Sequence, residues 1–116
     1  MFKNEAQQCT AIRCLLASLN LHRLWTQKGP TKQACDYLDG SPLSSGEQVM
    51  LRCAFDFWNG EGKVTLYRDL MGVLDPTRLG KVLSLAMAAN SGGEAVEHWI
   101  VREMDEQRAR GLLINL

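Results

Sequence analysis

The segment from Ser44 to Trp58, closed by Asn59-Gly60-Glu61-Gly62-Lys63, constrains this chain more than any other. Ser44 with Glu47, and Ser45 with Gln48, form two overlapping capping boxes, in which a hydroxyl and a carboxylate or amide three residues on satisfy backbone N–H groups at a helix start. Beyond them Val49, Met50, Cys53 and Phe57 share one helical face, and Leu51, Ala54 and Trp58 carry the apolar arc past half the circumference. A helix that apolar is central to its domain, with other helices packed around it. The glycine turn at Asn59–Lys63 then ends it, and a second apolar stretch begins at Val64.

The flanking sequence supplies further helices. Asn4 caps a first helix, with Gln7 completing a capping box, and Ile12, Leu15, Leu16 and Leu19 follow the i, i+3, i+4, i+7 spacing of one face. Leu21, Leu24 and Trp25 fall on another face, which implies a bend or a short second helix near Asn20, stopped at Gly29-Pro30. Thr31 caps a short helix carrying Ala34, Cys35 and Leu38. Leu66, Leu70, Val73 and Leu74 make a short amphipathic helix after the glycine turn. Asp75-Pro76 starts another, because aspartate caps and proline is pre-shaped for the first helical position. Its inner face is read as Leu79, Val82, Leu83 and Ala86, ending at Asn90-Ser91-Gly92-Gly93. A last helix carries Ala95, Val96, Trp99, Ile100 and Met104, is polar beyond Arg102, and has charges placed to suit its dipole. The apolar tail Leu112-Leu113-Ile114-Asn115-Leu116 is expected to pack on its own domain or on a partner. The expectation is one all-α domain over residues 1–116, a single bundle of five to seven helices.

With 116 residues, 46% hydrophobic and 22% charged, the chain has the composition of an ordinary globular domain. No apolar run reaches the roughly 20 residues that span a bilayer, and the start lacks a secretory core, so a cytoplasmic protein with no membrane contact is expected. Formal net charge is zero. Up to Gly40 five basic residues face three acidic ones, and from Ser91 onward three face five. Neither end carries the dense positive field that phosphates require, which argues against direct nucleic-acid binding. Cys9, Cys14, Cys35 and Cys53 form no Cys-x-x-Cys pair, and three of them fall on apolar faces; they read as reduced, buried small hydrophobes. With His22 and His98 far apart, no metal site and no cofactor are expected.

Two motifs invite sharper readings. In Asn59-Gly60-Glu61-Gly62-Lys63-Val64 the spacing imitates the middle of an EF-hand loop. The register then puts Phe57 at the first ligand position and Arg68 at the twelfth, where a bidentate glutamate is required, so the segment reads as a structural turn. Glu94 and His98 share a helical face as an acid–base pair, but no nucleophile, oxyanion donor or metal partner accompanies them. Thr77, Arg78 and Lys81, at the helix opened by Asp75, are the candidates for a DNA-binding regulator, opposed by Asp69 and Asp75. Trp25, Trp58 and Trp99 are many for this length; Trp58 and at least one other are expected to fill the core. Met50, Met71, Met87, Leu112 and Ile114 are the apolar residues one core explains least well, and some of them are expected to form a contact patch.

The stretch from Leu43 to Ala89, with its Leu-Ser-Ser-Gly-Glu opening, Phe57-Trp58-Asn59-Gly60 turn and Leu74-Asp75-Pro76 junction, resembles small uncharacterised proteins of phages, plasmids and integrated elements. The resemblance covers under half the chain and implies context alone: such accessory proteins often dock on a host protein, including restriction and CRISPR nucleases. This neutral chain departs from the acidic, nucleic-acid-mimicking inhibitors of that kind, which leaves steric docking. The expected function is therefore a non-enzymatic protein-binding module acting on a host protein or complex, with a homodimer as a further expectation. Its expected contact residues are Glu61, Lys63, Arg68, Glu97 and Arg102, because polar loop and helix-surface residues on a rigid scaffold are the usual sites of recognition.

Overall fold

A computed structural model describes residues 1–40 and 42–111. Five α-helices run α1 (Glu5–Ala17), α2 (Lys32–Asp39), α3 (Ser45–Asn59), α4 (Pro76–Ser91) and α5 (Gly93–Ala109). A 3-10 turn at His22–Leu24 and a π-helix at Leu66–Met71 complete the helical content, and β1 (Trp25–Thr26) pairs antiparallel with β2 (Gly29–Pro30). The all-α expectation holds, with this two-residue ladder as the one addition among the described residues. Gly29-Pro30, read as a stop, is the return strand of that hairpin. The apolar tail from Leu112 lies outside the described residues.

The local signals at helix starts act as expected. Ser44 and Glu47 form a reciprocal capping box, and Thr31 and Asp75 each accept from the backbone N–H three residues on. Asn4 accepts from the N–H of Gln7, but the Gln7 amide reaches one residue further back than a capping box requires. Its Oε1 accepts from the N–H of Lys3 at 2.7 Å and its Nε2 donates to the carbonyl of Gly93 at 2.7 Å, which ties the starts of α1 and α5 together. The bend near Asn20 is real: α1 ends at Ala17 and Asn20 sits at φ 61°, in the left-handed region.

Two apolar clusters share a wall formed by α1 and α3. On one side Ala11, Cys14 and Leu15 of α1 and Val49, Met50 and Cys53 of α3 meet Val82 and Leu85 of α4 and Val96, Trp99 and Ile100 of α5. On the other, Cys9, Ile12, Leu16, Leu51, Ala54 and Phe55 pack on Leu21, Leu24, Trp25 and Ala34. Trp25 makes edge contacts with Phe55 at 5.1 Å and Trp58 at 5.9 Å between ring centroids. The breadth of the apolar arc on α3 is thus explained: it is buried on two sides, Met50 included. Val82 points into α4's core face as expected, and Leu85 joins it there, whereas Leu83 and Ala86 turn outward. Among the described residues no helix is long and apolar enough to cross a membrane.

Candidate partner-binding surface

The turn after α3 is held by its own chain. Gly60 takes the left-handed conformation at φ 77° that ends α3, and Asn59 Oδ1 accepts from the N–H of Glu61 at 3.0 Å. Gly62 is required sterically, since a Cβ there would lie 2.0 Å from the carbonyl oxygen of Arg52. Its N–H donates to Asp56 Oδ1 at 3.2 Å. Arg52, on α3, donates from Nε to the carbonyl of Gly62 at 3.1 Å and from Nη2 to the carbonyl of Lys63. The same Nη2 lies 3.2 Å from Asp69 Oδ2. The segment that imitates a calcium loop is therefore closed around a guanidinium.

Asp69 carries this clamp into the π-helix. Its Oδ2 accepts from the N–H of Thr65 at 2.9 Å, and that bond first, with the Arg52 guanidinium second, holds its carboxyl below the usual aspartate value. The N–H of Leu70 reaches back five residues to the carbonyl of Thr65 at 3.2 Å. The wider winding puts Leu70 in the core and leaves Leu66, Tyr67 and Met71 in solvent, Tyr67 at 82% and the other two at 58% exposure. π-Turns of this kind recur at functional sites. Between the π-helix and α4 lies a groove of about 260 Å³, with Cys53, Phe57, Leu70 and Val82 among its lining residues and Leu66, Leu83 and Ala86 also part of it. Burial pushes the Cys53 thiol up to about 12, which keeps it neutral.

Along the opposite edge α4 is joined to α5 by buried polar pairs, beside an open hollow of about 280 Å³ bordered by Thr77, Gly80, Arg102 and Glu106. Lys81 Nζ lies 2.6 Å from Glu103 Oε2 and 3.3 Å from Glu106 Oε1, with Lys81 only 7% exposed. Trp99 Nε1 donates to Ser84 Oγ at 2.8 Å, and Gln107 Nε2 donates to the carbonyl of Cys14 at 3.1 Å. These pairs show α4 and α5 to be an antiparallel hairpin. They also correct the reading of α5 as merely polar beyond Arg102, since Glu103 and Gln107 point inward to partners on other helices.

The five expected contact residues are all exposed, but they occupy two places. Glu61 and Lys63 stand on the turn and Arg68 on the π-helix, beside Leu66 and Tyr67. Glu97 and Arg102 share a separate shallow hollow on α5 with His98, Val101 and Asp105. The DNA-reading set is not presented together: Thr77 is exposed, Arg78 is paired with Asp75 at 2.5 Å, and Lys81 is withdrawn into the α4–α5 seam by its carboxylates. Glu94 and His98 are exposed and belong to different hollows, Glu94 with Lys3, Gln7 and Glu97. Among the described residues no group of three or more His, Cys, Asp or Glu is arranged to hold a metal ion. Cys35 is exposed, unlike the other three thiols. The tryptophans belong to the two clusters, and the exposed aromatic residue is Tyr67, which sequence reasoning passed over. Its signal was available in its neighbour Arg68, an exposed cation that sets Tyr67 beside solvent.

No family model, curated protein or solved structure matches this chain.

Proposed function

We propose that the chain is a non-enzymatic protein-binding module whose recognition surface is the π-helix and the turn before it. Exposed Leu66, Tyr67 and Met71, set on a backbone clamped by Arg52 and Asp69, carry this reading. An apolar centre with Glu61, Lys63 and Arg68 around it has the layout of a protein interface, an apolar core within a polar rim. Preorganisation supports it further, because a segment already fixed by hydrogen bonds loses little freedom on docking. In this reading the protein is a mobile-element accessory factor, encoded by a phage or plasmid, that occludes a host protein such as a restriction or CRISPR nuclease in the cytoplasm.

The test is affinity capture from a host lysate with the wild-type chain and with Tyr67→Ala/Met71→Ser, after matched thermal melts. Losing two central anchors costs about 2 kcal/mol or more, a roughly 30-fold fall in affinity. A protein held by the wild type and lost by the variant is the expected result. Equal capture by both removes the reading. Duplex-DNA binding at low salt that weakens in Arg78→Ala would favour a DNA-binding regulator instead.

A further inference from the structure

The outward face of α4 bears no charge. Thr77, Gly80, Leu83, Ala86, Met87 and Asn90 are among its exposed residues, and the helix's two charged side chains, Arg78 and Lys81, are drawn to Asp75 and to Glu103 and Glu106. In a chain with 22% charged residues, a bare face on a helix of 16 residues is unusual. Gly80, Leu83, Met87 and Asn90 follow a 3-4-3 spacing, the seam pattern of one helix packing along another. Met87, at 71% exposure, has no neighbour that explains it. Gly80 borders the hollow shared with Arg102 and Glu106 of α5, and no side chain fills its place. A Cβ there would meet nothing within 4 Å, yet glycine in a helix interior is less stable than alanine.

We infer that this face pairs with the same face of a second copy, α4 against α4 and antiparallel. Gly80 lies one turn before Leu83 and Met87 one turn after it. A two-fold axis at Leu83 therefore sets Met87 of each copy across the gap left by Gly80 in the other, to within about one helical rise of 1.5 Å. The missing side chain becomes the recess that receives the long one, and this happens twice, as two-fold symmetry demands. Self-pairing sets identical side chains near one another at the axis, an arrangement that like charges would oppose and that the uncharged Leu83 and Met87 permit. One helix face with Leu66 beside it falls short of the roughly 800 Å² per partner of a standard interface, so the dimer exchanges rapidly and forms in the micromolar range or above. The inference stands apart from the docking surface on the π-helix, since it concerns α4 and needs no host protein.

Sedimentation velocity on the purified full chain, up to about 0.5 mM to cover affinities of that order, tests it. Expected is a shift to twice the chain mass in the wild type and at least tenfold weaker association in Gly80→Leu. Circular dichroism will show Gly80→Leu folded, because the space at position 80 is open. The swap Gly80→Met/Met87→Gly should restore the dimer, since each recess again faces a methionine. Leu83→Glu, which sets two carboxylates at the axis, should abolish association and serves if the swap fails to fold. A wild type that stays monomeric throughout, a dimer indifferent to Gly80→Leu or to Leu83→Glu, or a folded swap that stays monomeric would each overturn the proposal. None of these outcomes depends on whether Tyr67 and Met71 bind a host protein.

Discussion

Along one edge α4 meets α5 in a seam filled by Lys81, Glu103, Ser84 and Trp99, each with a partner. Along the other it meets the π-helix across a groove with Leu66 and Leu83 in solvent. Both edges contain an ion pair, but the pairs differ in setting. Lys81 and Glu103 are both withdrawn from water at 2.6 Å, whereas Asp69, equally buried, pairs at 3.2 Å with a half-buried Arg52, and both divide their bonding with backbone groups of the turn. The first joins two helices of the core. The second fixes the shape of a surface segment whose apolar side chains the core does not use. The contrast separates what holds the fold from what the fold presents.

The largest expected effect tests the buried pair of the α4–α5 seam. Lys81→Met leaves Glu103 buried without its cation, and breaking a buried pair in this way costs about 3–5 kcal/mol. Chemical denaturation should show that loss. The double variant Lys81→Met/Glu103→Leu should recover most of it, because an apolar pair of similar volume removes the stranded charge. A small loss in Lys81→Met alone would mean that water reaches the seam, and the distinction between the two edges would fail.

The helix boundaries were legible in the sequence because capping is local: Asn4, Thr31, Ser44 and Asp75 each act on an N–H three residues away. The centrality of α3 was legible too, from an arc too wide for one neighbour. What depended on distant partners was not. Glu103 and Gln107 looked like solvated residues because Lys81 is 22 residues away and the carbonyl of Cys14 is 93 away. Leu83 and Ala86 were assigned inward because α4 is apolar on both sides, and periodicity cannot tell which side meets the core. The π-helix was hidden for a related reason, since Leu66, Leu70 and Leu74 recur at α-helical spacing while the Leu70-to-Thr65 bond is set by the Asp69 clamp. Of the candidate surface, the polar rim at Glu61, Lys63 and Arg68 was visible as an exposed turn. Its apolar centre at Tyr67 was not.

A smaller effect is expected at the open edge. Asp69→Asn keeps the shape but removes the charge from the bonds to Thr65 and Arg52, a change of about 1–3 kcal/mol. The carboxyl is depressed in the folded protein, so its contribution is complete above the unfolded value of about 3.9. It disappears as pH falls through the lower folded value. Urea titrations of wild type and variant should differ at pH 7 and converge once the pH lies below the depressed folded value. Glu47, also depressed through its bonds to Ser44, acts in the same direction in both proteins and cancels from the difference. A gap that persists undiminished in acid would mean that Asp69 acts by packing rather than by charge.

The finest comparison changes no residue. Cys53 borders the groove, whereas Cys14 lies in the closed core beside α5, and burial pushes both thiols up to about 12. Neither reacts while the structure is shut, so alkylation reports how often each edge opens. Exposed Cys35 should label first in native buffer, followed by Cys53 through departures of the π-helix, with Cys14 requiring global unfolding. Mass spectrometry of timed iodoacetamide reactions resolves the order. Subdenaturing urea sharpens it: local opening exposes little surface, so labelling of Cys53 should respond weakly while that of Cys14 follows the full unfolding slope. Parallel responses at the two thiols would show that the π-helix opens only with the whole domain, making the groove as rigid as the seam.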